Sequence, residues 1–179
     1  MKLKNIAAIG LIFILFACSH NKVQKKTTNS GFGYLSHKDK VFFSEQPNPN
    51  HLIDLKREEN IDVVINLRNF KENKELDYNP KKEAQKLKLT YYQIPFFNEL
   101  EGPHKKNIEK VEKTFMKHHK PGDKILVHCS SGNRAAAWFG THFKVTHKSS
   151  DKKALKISRD YGMDSELEEK MRKYYKMTK

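Results

Sequence analysis

The stretch that decides the fold is "KILVHCSSGNRAAAWFG", residues 124–140. An apolar run at 125–127 ends in His128 and Cys129, and a short polar turn then leads through Arg134 into an alanine-rich segment. The apolar run is typical of a buried strand, and alanine has the highest helix propensity. The stretch therefore predicts a strand, a tight turn and a helix, with a cysteine where the strand ends.

The segments around this stretch alternate between strand and helix patterns. Strands are predicted at 32–35, 40–46, 61–67, 89–97 and 125–128, and helices at 48–60, 79–88, 103–119, 134–143, 149–162 and 164–177. This alternation indicates an α/β domain whose central, mostly parallel sheet is flanked by helices. Ligands of such sheets bind beyond the carboxyl ends of the strands, which is where Cys129 falls.

The composition of the chain indicates which classes of partner the protein can bind. The chain has 179 residues, enough for one domain, with 37% hydrophobic and 31% charged residues and a formal net charge of +14. Such a surface attracts anions, including phosphorylated ligands. The lysines are spread along the chain without a nucleic-acid motif, so no nucleic-acid partner is expected. His118 and His119 have no partner cluster at ligand spacing, so neither a metal nor another cofactor is expected.

The N-terminal segment predicts export. A basic start, "MKLKN", precedes an apolar run of twelve residues that ends next to Cys18. The motif "LFAC" at 15–18 resembles a bacterial lipoprotein lipobox, which implies a signal peptide at 1–17 and lipid, such as palmitate, on the Cys18 sulfur. A plain signal peptide or a retained membrane anchor are the alternatives.

The predicted anchor sets the expected organisation and location of the protein. Residues 18–31 are polar and lack periodicity, so they are expected to be a lipidated tether ahead of an α/β domain at 32–179. The expected location is the cell envelope, bound to a bacterial membrane through the lipid. Ser19 is compatible with the periplasmic face of the outer membrane, by resemblance to other lipoproteins.

The turn after Cys129 has the residues of an anion-binding loop. With Cys18 lipidated, Cys129 has no internal disulfide partner, which favours a free and reactive thiol. The amides at a helix N-terminus bind anions and favour the thiolate, and an arginine offers a two-pronged contact to a phosphoryl or sulfuryl group. The candidate binding residues within the loop are Ser130, Ser131, Gly132, Asn133 and Arg134. The alternative is a buried strand-end cysteine beside a surface arginine.

The loop resembles that of the cysteine-dependent phosphatases of the protein-tyrosine and dual-specificity type. His128, Cys129 and Gly132 fit their signature. Arg134 lies five positions after the cysteine where the signature has six, and Ala135 replaces the usual hydroxyl residue. The shorter loop resembles two relatives, which are the beta-lactamase-hydrolase-like phosphatase-like domain of bacteria and the rhodanese-type sulfurtransferases. The rest of the chain favours the first of these relatives, which the segments "FFSEQPNPNHLIDLKREENIDVVINLR" and "YYQIPF" resemble. This resemblance covers residues 32–145.

The resemblance implies a catalytic role for each site residue. Cys129 attacks phosphorus to form a cysteinyl-phosphate, Arg134 and the loop amides hold the oxygens, and His128 supports the loop. Phosphatases of this type carry an acidic residue after the preceding strand, where this chain has Glu99 and Glu101 as candidates. Because it ends the strand pattern "VVINLR", Arg68 is a candidate second contact to an anionic substrate, or alternatively a salt-bridge residue.

Three functions stay open from the sequence. The first is a lipid-anchored phosphatase acting on a phosphorylated small molecule or a phosphoprotein. The second is a sulfurtransferase that carries a persulfide on Cys129, because a shorter loop has fewer amides and a narrower mouth. The third is a non-catalytic lipoprotein that binds an anion.

Overall fold

The computed structural model describes residues 23–98 and 102–177. The predicted signal peptide, Cys18, Glu99 and Glu101 therefore lie outside the described residues. The strands are β1 (Gln24–Thr27), β2 (Gly33–His37), β3 (Val41–Ser44), β4 (Val63–Asn66), β5 (Thr90–Gln93), β6 (Phe97–Asn98), β7 (Gly102–Pro103) and β8 (Ile125–His128). The helices are α1 (Pro49–Glu59), α2 (Phe70–Lys74), α3 (Pro80–Lys86), α4 (Lys105–His119), α5 (Asn133–Val145), α6 (Asp151–Asp160) and α7 (Ser165–Tyr175).

The central sheet has the strand order β1-β2-β3-β8-β4-β5. The four strands β3, β8, β4 and β5 are parallel, and β1 and β2 add an antiparallel edge. The predicted α/β fold with a mostly parallel sheet is thus confirmed. The register aligns the last residues of the parallel strands in one row, Ser44, His128, Asn66 and Gln93. The loops that follow these four residues therefore share one edge of the sheet.

Two apolar layers cover the sheet. Successive residues of a strand point to opposite faces, so Phe43 packs against α5 while Phe42 packs in the layer that contains α1 and α3. Both layers are closed by helices, which explains why β3, β4 and β8 consist almost entirely of buried residues. Trp138 and Phe139, in α5 after the loop, are core residues.

Strand β1 corrects the predicted tether. Residues 24–27 pair with β2, so the folded domain begins ahead of the boundary predicted at residue 32. The strand is polar because it is the edge of the sheet, and its Lys26 ammonium binds Asp39 and Glu59. A polar edge strand has little apolar periodicity, so the sequence pattern did not indicate it.

Helix α2 and the short hairpin of β6 and β7 were also not predicted. Five residues carry too little periodicity to predict a helix, although Asn69 and Glu72 form a capping box at its start. No helix among the described residues is long and apolar enough to cross a membrane.

Candidate active site

The loop between β8 and α5 wraps around the Cys129 sulfur. Cys129 is fully buried, and the Gly132 amide donates a hydrogen bond to its Sγ at 3.1 Å. Gly132 has a φ of 86°, in the left-handed region, and a Cβ there would lie 3.5 Å from the Ser44 backbone. Helix α5 begins at the next residue, so its unpaired amides face the loop. The predicted strand, turn and helix are confirmed here.

His128 supports the loop from the interior. Its Nδ1 lies 3.3 Å from the Cys129 carbonyl oxygen, and its own carbonyl accepts a hydrogen bond from the Leu67 amide at 2.8 Å. Burial lowers the pKa of His128 to about 3, because the charged ring would lose its water. The imidazole is therefore neutral at physiological pH and is not suited to carry a proton to substrate.

Arg134 lies at the same edge of the sheet, and its guanidinium bonds the side chains of Glu72, Ser130 and Cys129. Its Nη1 and Nη2 donate to the two carboxylate oxygens of Glu72 at 2.8 and 2.5 Å, and Nη2 also donates to Ser130 Oγ at 2.7 Å. Burial opposes the charged guanidinium, but the Glu72 hydrogen bonds and the nearby Cys129 outweigh it and raise the pKa of Arg134. The arginine thus stays charged beside the sulfur.

Glu72 is the partner of Arg134 that the sequence interpretation missed. It sits in α2 and closes a capping box, since its carboxylate accepts from the Asn69 amide at 2.7 Å. Burial favours its neutral form, but the hydrogen bond from Arg134 dominates in the opposite direction, so the pKa of Glu72 is lowered. The signal that could have found it is Asn69 followed three residues later by Glu72, a helix start directly after a parallel strand.

Arg68 is buried, and its guanidinium is hydrogen-bonded to neighbouring loops. It is 7% exposed, and its Nη1 and Nη2 donate to Gln46 Oε1 at 3.1 Å and to the Glu72 carbonyl at 2.5 Å. The Gln46 amide in turn donates to the Ser130 carbonyl at 3.2 Å. In this structure the buried guanidinium connects three loops, and the contact of Arg68 with a substrate stays a prediction.

The Asn133 side chain likewise bonds another part of the fold. Its side-chain amide donates to the Asp164 carboxylate, and its Oδ1 accepts from the Asp164 amide at 3.1 Å. Asp164 also caps α7 through the Leu167 amide at 2.8 Å. The side chain that was predicted to bind substrate therefore docks α7 onto the start of α5.

The structure describes some of the remaining predicted residues and not others. Ser130, Ser131 and Gly132 lie in the loop, and the two serines are exposed. Glu99 and Glu101, the candidate general acids, fall in the gap between the described ranges, after β6. The structure therefore brings Cys129, Arg134 and His128 together at one edge of the sheet.

Comparisons with known proteins agree on the fold. No protein-family model and no curated protein matches the chain. Among solved structures, PTPMT1 in complex with PI(5)P is 21% identical with a TM-score of 0.62, over 78% of this chain and 92% of that one. TpbA of P. aeruginosa in complex with pTyr is 13% identical with a TM-score of 0.64, over 86% and 88%.

A third match is a putative phosphatase (DUF442) from Shewanella putrefaciens CN-32. It is 18% identical with a TM-score of 0.59, over 89% of this chain and 92% of that one. At these identities the likeness concerns the fold. The chain therefore has the α/β fold of the dual-specificity-type phosphatases.

Proposed function

We propose that this chain is a cysteine-dependent phosphatase that hydrolyses phosphomonoesters through a cysteinyl-phosphate. The observation that carries the proposal is the hydrogen bond from the Gly132 amide to Cys129 Sγ at 3.1 Å, in a loop that Arg134 closes. The amides at a helix N-terminus that face this sulfur are also the groups that bind an anion. The same groups are those that hold an equatorial phosphoryl oxygen.

In the first step the Cys129 thiolate attacks phosphorus, and the bond from phosphorus to the ester oxygen breaks. The loop amides and Arg134 hold the three remaining oxygens as negative charge shifts onto the leaving oxygen. That oxygen needs a proton. Glu72 is not suited to give one, because its pKa is lowered and its carboxylate is bonded to Arg134. Glu99 and Glu101 are proposed for this role from their position in the sequence.

In the second step water attacks the cysteinyl-phosphate, the bond from sulfur to phosphorus breaks, and phosphate leaves with the thiolate restored. The acid of the first step then serves as base for the water. His128 contributes by holding the Cys129 carbonyl rather than by proton transfer, since its pKa of about 3 leaves it neutral.

We propose that the substrate displaces the Ser130 hydroxyl from Arg134. A guanidinium has five N–H groups, and the pairing with Glu72 uses one on Nη1 and one on Nη2. The second Nη2 hydrogen goes to the exposed Ser130, which can turn to solvent. A phosphoryl group can therefore bind the edge formed by Nε and Nη2. Glu72 meanwhile keeps its hydrogen bonds with Nη1 and with the other hydrogen of Nη2.

Two substrate classes are proposed, phosphorylated small molecules and phosphoproteins. Two of the similar structures are complexes with one ligand from each class, PI(5)P with PTPMT1 and pTyr with TpbA. The net charge of +14 supports an anionic substrate of either kind.

A paired assay on the purified full-length protein tests the proposal. Phosphate release from p-nitrophenyl phosphate is measured beside thiocyanate formation from thiosulfate and cyanide, with Cys129→Ser as the inactive variant and Lys113→Ala, on the exposed side of α4, as the control. We expect phosphate release that Cys129→Ser abolishes. Thiocyanate formation alone, lost in the same variant, contradicts the phosphatase and identifies a sulfurtransferase. Anion binding without either reaction identifies a non-catalytic binding protein.

We further propose that the chain is a lipoprotein anchored in the cell envelope through Cys18. The support is the "LFAC" motif after an apolar run. Fractionation of cells that express the full chain should place it with the membranes. The Cys18→Ala variant should lack the lipid, whereas the Ser19→Ala variant should remain acylated. Equal membrane retention of Cys18→Ala and the wild type would contradict lipidation.

A further inference from the structure

A cavity of about 510 Å³ lies beside the catalytic loop. Ser131 and Gly132 form one wall, the β1–β2 hairpin forms the opposite wall, and Tyr161 and Gly162 close the side. The volume falls within the range of small-molecule sites, roughly 300–1,000 Å³. Because two loop residues line the cavity, a group bound there is adjacent to the groups proposed to hold the phosphoryl.

The strand register identifies the side chains that face the cavity. Leu35 pairs with Phe43 on one side and with Lys25 on the other, and directly opposed residues project to the same face of a sheet. Leu35 and Phe43 belong to the layer that also contains Tyr161. These three side chains give the cavity an apolar floor.

The charges around the cavity favour a neutral occupant. Lys26 projects to the opposite face, where its ammonium binds Asp39 and Glu59 at 2.6 and 3.2 Å. Lys25 and Glu45 are the remaining charged residues of the lining and have opposite signs. With no net charge from this pair, burial of apolar surface is the main force that the cavity offers.

Gly33 opens the cavity further. It lies in β2, where glycine weakens a strand, and its φ is outside the left-handed region. A Cβ at this position would have no atom within 4 Å, so crowding does not require glycine either. The space beside Gly33 is therefore open to a bound group.

We propose that this cavity binds the alcohol portion of the substrate, a neutral, apolar aryl or alkyl group, while the catalytic loop holds the phosphoryl group. The proposal rests on the proposed phosphatase function and names its substrate class. The group lies over Ser131, against Leu35, Phe43 and Tyr161, and no charged partner is required for it.

Calorimetric titration of full-length Cys129→Ser with two probes, phenyl phosphate and 4-biphenylyl phosphate, tests the proposal without catalysis. The probes differ by one apolar ring. We expect 4-biphenylyl phosphate to bind about tenfold more tightly, the gain from burying roughly half of the added ring. Gly33→Leu, which places a bulky side chain in the cavity, should reduce this preference, and the matched Gly33→Ala should keep most of it. Lys113→Glu, on the exposed side of α4, tests whether a change in net charge alone alters the two affinities.

The outcomes separate the two proposals. Equal affinities of the two probes in Cys129→Ser, or a preference that Gly33→Leu leaves intact, would overturn the assignment of the cavity. A preference that Gly33→Leu reduces supports it. Phosphate release by the protein with Cys129 intact is measured separately on both probes, so a protein that prefers the larger probe but releases no phosphate contradicts only the catalytic proposal.

Discussion

The two terminal nitrogens of the Arg134 guanidinium each donate to a different oxygen of Glu72, at 2.8 and 2.5 Å. This two-pronged pair joins α2 to the start of α5 across the carboxyl edge of the sheet. It fixes the orientation of the guanidinium, which also bonds the side chains of Ser130 and Cys129. We therefore expect Glu72 to be a positioning residue that acts on substrate only through Arg134.

Glu72→Gln should lower kcat/KM for p-nitrophenyl phosphate about 30-fold, because an amide offers one acceptor oxygen and no charge to fix the guanidinium. Glu72→Asp should restore part of the activity. Glu75→Gln, an exposed position just after α2, is the matched control. A purely structural role would lower the free energy of unfolding and leave the kcat/KM of the folded fraction unchanged, which would contradict the positioning role.

Gly132→Ala should lower activity more than stability alone explains. The substitution places a Cβ at a φ of 86°, 3.5 Å from the Ser44 backbone, and so displaces the amide that donates to Cys129. Strain of this kind costs on the order of 1–3 kcal/mol. Gly122→Ala is the control, since Gly122 has a φ of 95° far from the loop. Equal loss of kcat in the two variants, measured with their free energies of unfolding, would refute the loop geometry.

Asn133→Ala should weaken the fold and spare the chemistry. The side chain binds Asp164, so its removal costs the hydrogen bonds that dock α7, about 1–3 kcal/mol in the free energy of unfolding. The KM for p-nitrophenyl phosphate should change less than twofold. A large rise in KM without a change in stability would restore Asn133 as a substrate-binding residue.

The sequence predicted the fold and the loop well and the surroundings of the loop poorly. Residues 124–140 combine a buried strand with a strong helix former, and both signals are local. The partner of Arg134 could not be predicted in this way, because Glu72 is brought near it only by the parallel pairing of β4 and β8. Arg68 was a candidate because it ends a predicted strand, and Asn133 because it lies in the loop. Their side-chain partners Gln46 and Asp164 are distant in sequence, so a local pattern could not indicate them.

Acid should destabilise the protein through His37. Burial lowers the pKa of His37 to about 4 from 6.5, with a smaller effect of Lys38, and its Nδ1 pairs with the Tyr161 hydroxyl at 2.7 Å. Between these two values the unfolded chain binds the proton and the folded chain does not. The stabilisation is therefore complete above about pH 6.5 and is lost as the pH falls toward 4, with a slope of up to about 1.4 kcal/mol per pH unit.

Urea unfolding between about pH 5 and pH 7 measures this effect. His37→Gln should have a lower free energy of unfolding at neutral pH and a shallower decline toward acid than the wild type. The buried His128 stays in both proteins and contributes equally to the two slopes. Parallel pH profiles of the two proteins would show that His37 is not the group responsible.

The covalent intermediate tests the central claim most directly. The full-length protein is mixed with p-nitrophenyl phosphate, quenched in acid within one turnover, digested with trypsin and analysed by mass spectrometry. The peptide 125–134, "ILVHCSSGNR", should carry one phosphoryl group on Cys129, and the group should be absent from Cys129→Ser. Phosphate release that continues in Cys129→Ser, or turnover by the wild type with this peptide unmodified at every quench time, would contradict the account.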